Sequence, residues 1–305
     1  MTTSRDTAQE TWAWAPVILL VTAFIQYYGA SIAVHLFAVA SVLAVGWGRA
    51  FSGSLMLLAW RRPKIDVRSA AGRRALIGPA ILGVALVSTN LIFYLAIARI
   101  PLGTTVALEF IGPVILALVA GRGWRVRLAV VFAVSGIFMI SWVGVDLNAP
   151  GVAAGIVLAI LAGLFWATYM YMGRRLTVEA NGFDSLAIGM FIGSLVYLPV
   201  VLPDLPVIFG DAKILGLVVL VGLLSSVTPY VGDMVIMKRI NAGTFALLNS
   251  LLPAASLLVG IIFLKQIPTP GELGGLVLIT IAVALANYPG NSLQRKTSAK
   301  QNPDV

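Results

Sequence analysis

The chain has 305 residues, of which 59% are hydrophobic and 11% charged, with a mean hydropathy of +0.97. Soluble domains carry about 25% charged residues, so this composition excludes a soluble protein and indicates an integral membrane protein. The absence of cysteine excludes thiol chemistry, and a single histidine, His35, excludes a histidine-based metal cluster or a Ser-His-Asp triad.

Ten apolar segments follow along the chain, each long enough to cross a hydrocarbon core, which takes about 20 residues in a helix. Charged joints, or joints rich in Pro, Gly and Asn, separate them. The predicted spans are 14–36, 39–60, 75–98, 103–120, 126–144, 151–173, 185–202, 213–236, 242–264 and 271–288. The third and fourth segments share a very short joint, as do the eighth and ninth, so each pair predicts a helical hairpin.

The basic residues predict the orientation of these segments. Of the 21 Lys and Arg residues, 17 fall on one side of the ten segments, while Arg99, Lys213 and Lys265 fall on the other and Arg49 lies within the second segment. Under the positive-inside rule the richer side is cytoplasmic, so both termini are predicted to be cytoplasmic. The net charge of +9 is thus interpreted as a topology signal, and no nucleic-acid partner is predicted.

Two stretches of the chain repeat each other 140 residues apart. RIPLGTTVALEFIGP begins at Arg99, RINAGTFALLNSLLP begins at Arg239, and six of their fifteen positions are identical. Each half contains five segments, an odd number, so the halves enter the membrane in opposite senses, as in the inverted repeats of secondary transporters. The predicted units are a first five-helix repeat at 1–145, a second at 146–290 and a cytoplasmic tail at 291–305.

Three stretches of the sequence resemble a known family. They are NLIFYLAIARIPLGTTVALEFIGPV at 90–114, GLFWATY at 163–169 and TPYVGDMVIMKRINAGTFALLNSLLPAASLLVGIIFL at 228–264. They resemble the EamA branch of the drug/metabolite transporter superfamily, and in particular the bacterial threonine/homoserine exporters. The resemblance implies an all-α transporter of the bacterial inner membrane, with ten transmembrane helices in two inverted repeats.

The chain departs from the pattern of those exporters in its ninth segment. They usually carry an acidic residue directly before the proline of that helix, where this chain has Leu252 before Pro253. The acidic residue of their eighth helix is matched here by Asp233. Proton coupling, if it follows the family, therefore depends on Glu109 and Asp233.

Three charged side chains fall well inside predicted spans: Arg49, Glu109 and Asp233. A charge at the bilayer centre costs a few kcal/mol unless it is paired or faces water. Two interpretations stay open. The three residues bind substrate and protons, or an Arg–Glu or Arg–Asp pair merely locks helices together.

A proline lies four residues after Glu109. Pro113 lacks an N–H group, so the carbonyl of Glu109 loses its helical donor and a kink is predicted there. The same reasoning frees the carbonyl of Asn249 ahead of Pro253. We therefore expect two bends with exposed polar groups, at related depths in the membrane. The alternative is that both prolines only determine the shape of their helices.

Polar and aromatic residues at helical spacing are expected to complete a substrate cavity. Residues three or four apart share one face of a helix. The candidates are Asn90 with Tyr94, Tyr230 with Asp233, Trp166 with Tyr169, and Gln26 midway along the first segment.

We therefore predict an inner-membrane secondary transporter, not an enzyme, that exports a small amino acid or related metabolite by proton antiport with alternating access. The predicted partners are this small molecule, protons and membrane lipid, without a cofactor or a metal. A carboxyl group in a low-dielectric cavity has a raised pKa, and a nearby arginine lowers it again, which suits binding and release of a proton. The alternatives are drug efflux, metabolite uptake, a membrane-embedded enzyme, a lipid flippase and a channel.

Overall fold

The computed structural model describes residues 3–64, 68–112, 114–115, 124–139, 148–179, 182–237, 249 and 251–287. The regular structure in these residues is helical throughout. The helices are α1 (Thr3–Leu36), α2 (Val42–Arg61), α3 (Ala70–Ala75), α4 (Ile77–Ile97), α5 (Leu102–Glu109), α6 (Trp124–Phe138), α7 (Val152–Glu179), α8 (Gly182–Val201), α9 (Leu205–Gly210), α10 (Ala212–Gly222), α11 (Thr228–Met237), α12 (Leu252–Leu264) and α13 (Pro270–Asn287).

Six helical stretches are long and apolar enough to cross a membrane. They are Trp14–Leu36, Val42–Arg61, Ala70–Ile97, Val152–Gly173, Gly182–Gly210 and Ala212–Ile236. Shorter apolar helices occur at Arg127–Phe138, Leu252–Leu264 and Pro270–Leu285. These findings confirm an all-helical, multi-pass membrane protein, while the count of ten spans and their arrangement as two repeats stay predictions.

Two predicted spans are irregular in their interior within the described residues. In the span 103–120, for which a kink is predicted at Glu109, α5 ends at Glu109 and Phe110 forms a turn. The predicted span 213–236 agrees with the helical stretch Ala212–Ile236, in which a π-helical turn, Leu223–Val227, joins α10 to α11. Pro229 follows this turn and has no N–H group to continue the α-helical ladder, which explains the wider turn.

Helix α4 occupies the centre of the molecule. It packs against α7 and α8, while α2 packs against α8, α1 against α11 and α12, and α5 against α7 and α12. In the span Ala70–Ile97, 72% of the most apolar window is buried, compared with 39% in Trp14–Leu36. Side chains of α4 are thus mostly covered by protein, whereas most of those in the compared stretch of α1 are not, and Thr89 and Asn90 of α4 line an interior cavity.

Packed side chains close one end of the helical assembly. Ala33 and Leu36 at the end of α1, Ile97 at the end of α4, and Ile100 and Leu102 at the start of α5 are all at most 5% exposed and belong to one hydrophobic cluster. This end is the one that the basic residues predict to be external. The predicted external end therefore contains tightly packed apolar side chains.

A buried carboxylate fastens the start of α5 to the loop before α13. Glu272 is 3% exposed, and its Oε1 accepts a hydrogen bond from the Thr104 hydroxyl at 2.6 Å. Its Oε2 accepts from the backbone N–H and the hydroxyl of Thr269, at 2.9 and 3.1 Å. In the same region the Gln266 Oε1 accepts from the Leu102 N–H at 3.0 Å. These bonds anchor the helix that carries Glu109.

We expect Glu272→Ala to destabilise the fold. The substitution leaves the buried hydroxyl of Thr104 and the N–H of Thr269 without their acceptor, and such unsatisfied groups cost about 1–3 kcal/mol each. A loss of about 2–4 kcal/mol should appear as a lower melting temperature of the detergent-solubilised protein. Leu273→Ala, at a neighbouring exposed position, is the matched control. Equal melting temperatures for the two variants would contradict the anchoring role.

Candidate functional site

One interior cavity brings together most of the predicted site residues. Helices α1, α2, α4, α5, α7 and α11 form its walls, together with Asn249 and the start of α12. Its volume, as space open to the centres of water molecules, is about 50 Å³, several times what one buried water needs. Eight predicted residues line it: Gln26, Arg49, Asn90, Glu109, Trp166, Tyr230, Asp233 and Asn249.

The two carboxylates of the cavity, Glu109 and Asp233, have no hydrogen-bond or ion-pair partner among the described residues. Both are half-buried. Arg61 and Asp184, by contrast, form an ion pair at 2.9 Å that ties α2 to α8. Within the described part of the chain, both carboxylates are accessible from the cavity.

Arg49 is held by neutral groups. Its side chain is 2% exposed, its Nε donates to the Ser226 Oγ at 3.0 Å, and its Nη2 donates to the backbone carbonyl of Ser225. The guanidinium also lies over the ring of Tyr94, 5.1 Å from the centroid, in a cation–π contact. The Arg–carboxylate pair considered in the sequence analysis is not present among the described residues.

The local sequence explains why the Ser225 carbonyl is available to Arg49. Pro229 stands four residues after Ser225 and has no N–H group, so it cannot donate to that carbonyl. Ser225 lies within the π-helical turn Leu223–Val227, and such turns are frequent at functional sites. The sequence analysis missed Ser225, Ser226 and Pro229, although the four-residue rule applied to Pro113 would have identified this carbonyl.

Asn90 contributes an amide to the cavity wall. The hydroxyl of Tyr230 donates to the Asn90 Oδ1 at 3.1 Å, which joins α4 to α11. The Nδ2 of Asn90 has no hydrogen-bond partner among the described residues. A buried unpaired donor costs about 1–3 kcal/mol, so this amide can gain from a ligand or water that accepts its hydrogen bond.

Two predicted site residues lie behind the lining and not in it. Tyr94 packs beneath the Arg49 guanidinium, and Tyr169 packs against Tyr230 with ring centroids 5.9 Å apart. Both tyrosines are at most 3% exposed. The two tyrosines thus support residues that line the cavity. Helical spacing alone does not distinguish such a supporting position from a position in the lining.

The predicted bend at Glu109 lies only partly within the described residues. Helix α5 ends at Glu109, whereas Pro113 lies outside them. The carbonyl of Glu109 faces Gly163 of α7, where an added Cβ would lie 2.0 Å from the carbonyl oxygen. The end of α5 therefore meets α7 backbone to backbone, a contact that only glycine permits.

Of the second predicted bend, the described residues include Asn249 and the stretch from Leu251 onward. Asn249 is 4% exposed and lines the cavity, and α12 begins at Leu252 with Pro253 in its first turn. Residues 238–248, which hold most of the repeated stretch, lie outside the described residues. Leu252 also lines the cavity, so an apolar wall stands at the position for which the resemblance described above implies an acidic residue.

Comparison with known proteins shows similarity along nearly the whole chain. Residues 153–288 match the family described as EamA-like transporter family. The threonine/homoserine exporter RhtA of Escherichia coli (strain K12) is 32% identical over 295 residues, which cover 96% of each chain. RhtA of Salmonella typhimurium (strain SL1344) is 32% identical over 296 residues, which cover 94% of this chain and 95% of that protein.

The fold is shared with solved structures, among them a crystal structure of a protein. It superposes with a TM-score of 0.58 at 17% sequence identity, covering 89% of this chain and 96% of the other. At this identity the likeness establishes the architecture alone.

Proposed function

This chain belongs to the EamA-like transporter family of the drug/metabolite transporter superfamily, and from that premise we propose that it exports a small amino acid of the threonine or homoserine type from the cytoplasm by proton antiport. Like its homologues, it is a multi-pass transporter of the bacterial inner membrane and not an enzyme. The names of these relatives give threonine and homoserine as substrates, and both amino acids carry a hydroxyl group. The choice of substrate for this chain rests on those relatives and on the cavity.

The observation that carries the proposal is that three charged side chains line one cavity without an ion pair among them. Arg49, Glu109 and Asp233 all line it, and among the described residues Arg49 is hydrogen-bonded to Ser225 and Ser226 and to neither carboxylate. An internal Arg–carboxylate pair would cancel the charges that a zwitterion needs. Because the charges are separate, Arg49 can bind the carboxylate of a free amino acid, and Glu109 or Asp233 can bind its ammonium group.

Neutral groups provide the remainder of the proposed substrate site. The Asn90 amide is directed by Tyr230 and is suited to a polar substituent of the ligand. Gln26 and Asn249 add further amides, and Trp166 packs edge to face on Phe110 with centroids 4.8 Å apart, which forms a rigid aromatic wall. Tyr94 and Tyr169 are assigned to support Arg49 and Tyr230.

Proton coupling is assigned to the same carboxylates. A carboxylate that binds an ammonium group loses that ligand when it takes up a proton, so substrate and proton compete for one site. Such competition is sufficient for antiport if the site opens alternately to the two sides of the membrane. The hydrophobic cluster at the predicted external end is consistent with a conformation closed to the outside.

The proposed topology follows the sequence analysis. Residues 1–145 and 146–290 form two inverted five-helix repeats, residues 291–305 form a cytoplasmic tail, and both termini are cytoplasmic. Helix α4 of the first unit packs on α7 and α8 of the second, so the cavity lies between the two units. This position agrees with the substrate sites of transporters built from inverted repeats.

Counterflow in proteoliposomes tests the proposed function. Vesicles that contain purified protein and unlabelled threonine are diluted into labelled threonine at equal pH on both sides, which requires no assumption about the driving force. We expect transient accumulation of label with threonine and homoserine, and none in vesicles without protein. Absence of counterflow with every amino acid of a broad panel would refute the proposal.

A further inference from the structure

We propose that the π-helical turn Leu223–Val227 holds Arg49 in position to bind the carboxylate of the substrate, with Ser226 and Pro229 as its positioning residues. The inference rests on the proposed function. It goes further by giving a role to three residues outside the predicted site, Ser225, Ser226 and Pro229, and by predicting that the ligand must carry a carboxylate.

The turn presents two acceptors to Arg49 side by side. The Ser226 Oγ accepts from Nε at 3.0 Å, and the Ser225 carbonyl accepts from Nη2. Both serines are fully buried, with 0% exposure. In an unbroken α-helix the Ser225 carbonyl would accept from the residue at position 229, but Pro229 has no N–H to give.

Helix α2 is seated directly on this turn. An added Cβ at Gly222 would lie 2.1 Å from the Ser52 Oγ and 3.0 Å from the Arg49 carbonyl oxygen, so α2 and the start of the turn are in backbone contact beside Arg49. The Ser225 Oγ donates to the Gln26 carbonyl at 2.7 Å, which ties the turn to α1. The turn therefore fixes Arg49 relative to two walls of the cavity.

The neutrality of these acceptors determines what Arg49 can bind. A guanidinium has five N–H donors, and the two bonds to the turn use Nε and one hydrogen of Nη2. The remaining donors lie on the amino groups that present a fork to a carboxylate. Because Ser225 and Ser226 carry no charge, the full positive charge stays available at the cavity wall.

This arrangement predicts a requirement for a carboxylate on the ligand. Threonine satisfies it, whereas threonine amide keeps the ammonium and hydroxyl groups and lacks the carboxylate. Wild-type protein should therefore prefer threonine over threonine amide as a competitor of labelled threonine counterflow. The ratio of the two inhibition constants reports on the carboxylate contact and does not depend on the amount of folded protein.

The test compares this ratio in wild type, Ser226→Ala and Pro229→Ala. Loss of a hydrogen bond to a charged group corresponds to about a tenfold effect or more, so Ser226→Ala should raise the KM for threonine about tenfold with a near-normal maximal rate. Pro229→Ala supplies an N–H that competes for the Ser225 carbonyl. Both variants should lower the preference for threonine over its amide, and Ser226→Thr, which keeps the hydroxyl, should restore it.

Ser194→Ala is the matched control, since Ser194 is equally buried but its hydroxyl donates to the Met190 carbonyl on α8. Its preference ratio should equal that of wild type. An unchanged ratio in Ser226→Ala and Pro229→Ala, or a wild type that accepts the amide as well as threonine, would overturn this inference and leave the proposed function standing. Absence of wild-type counterflow with any amino acid would overturn the proposed function itself.

Discussion

Glu109→Gln is expected to abolish threonine transport that is driven by a pH gradient. The glutamine keeps the size of the side chain but cannot take up or release a proton, so the energy of the gradient is no longer coupled to the substrate. One pH unit corresponds to about 1.4 kcal/mol, so one coupled proton sustains roughly a tenfold concentration ratio. In the variant this ratio should fall to one, measured as labelled threonine in proteoliposomes with an imposed pH difference.

Glu272→Gln is the matched control for this prediction. Glu272 is a buried glutamate that lies outside the charged cavity, where its oxygens accept from Thr104 and Thr269. A glutamine there retains one acceptor oxygen and the packing, so pH-driven accumulation should persist. Accumulation by Glu109→Gln equal to that of wild type would remove Glu109 from proton coupling and leave Asp233 as the candidate.

Gly163→Ala is expected to lower both stability and transport. The added Cβ would lie 2.0 Å from the Glu109 carbonyl oxygen and 2.8 Å from its carbonyl carbon, which are backbone atoms and cannot rotate away. Helix α5 must then move from α7 and carry Glu109 with it. Overpacking of a tight core lowers the free energy of unfolding by about 1–3 kcal/mol and sometimes more. Because the contact here is with backbone atoms, we expect a loss at the upper end of this range.

The measurements are the melting temperature in detergent and the initial rate of threonine counterflow per folded protein. Gly216→Ala is the control, because nothing lies within 4 Å of the Cβ position at Gly216 on α10. That variant should match wild type in both measurements. A Gly163→Ala protein with wild-type stability and rate would show that the contact between α5 and α7 can relax and does not position Glu109.

The sequence was sufficient to predict the membrane-spanning character and the charged residues of the cavity. Long apolar runs have few alternatives to a transmembrane helix, and an ionisable group inside such a run must face protein or water. These two constraints identified Arg49, Glu109 and Asp233. All three line one cavity.

The partners of those charges could not be predicted from the sequence. Opposite charges suggested an ion pair, but Arg49 bonds to a serine hydroxyl and a main-chain carbonyl on a helix 176 residues away in the chain. Such a choice depends on how α2 and the π-helical turn pack, and hydrophobic periodicity carries no information about that contact. The anchoring role of Glu272 was missed for the same reason, since Thr104 lies 168 residues from it.

Helical spacing also did not predict which residues of a shared helix face line the cavity and which lie behind its lining. Asn90 and Tyr94 share a face of α4, and Trp166 and Tyr169 share a face of α7. Only Asn90 and Trp166 line the cavity, because one turn along a helix moves a side chain by about 5 Å. That distance is sufficient to place Tyr94 beneath Arg49.

The central claim is that the substrate occupies the cavity between Arg49, Glu109 and Asp233. Thr22 lines this cavity, and because the natural chain has no cysteine, Thr22→Cys introduces the only thiol. We would measure the rate at which N-ethylmaleimide labels this thiol, with and without saturating threonine, and use Lys64→Cys on the exposed loop after α2 as the control. Threonine should slow labelling at position 22 severalfold and leave position 64 unaffected. Equal rates at position 22, in a variant that still catalyses threonine counterflow, would contradict the account.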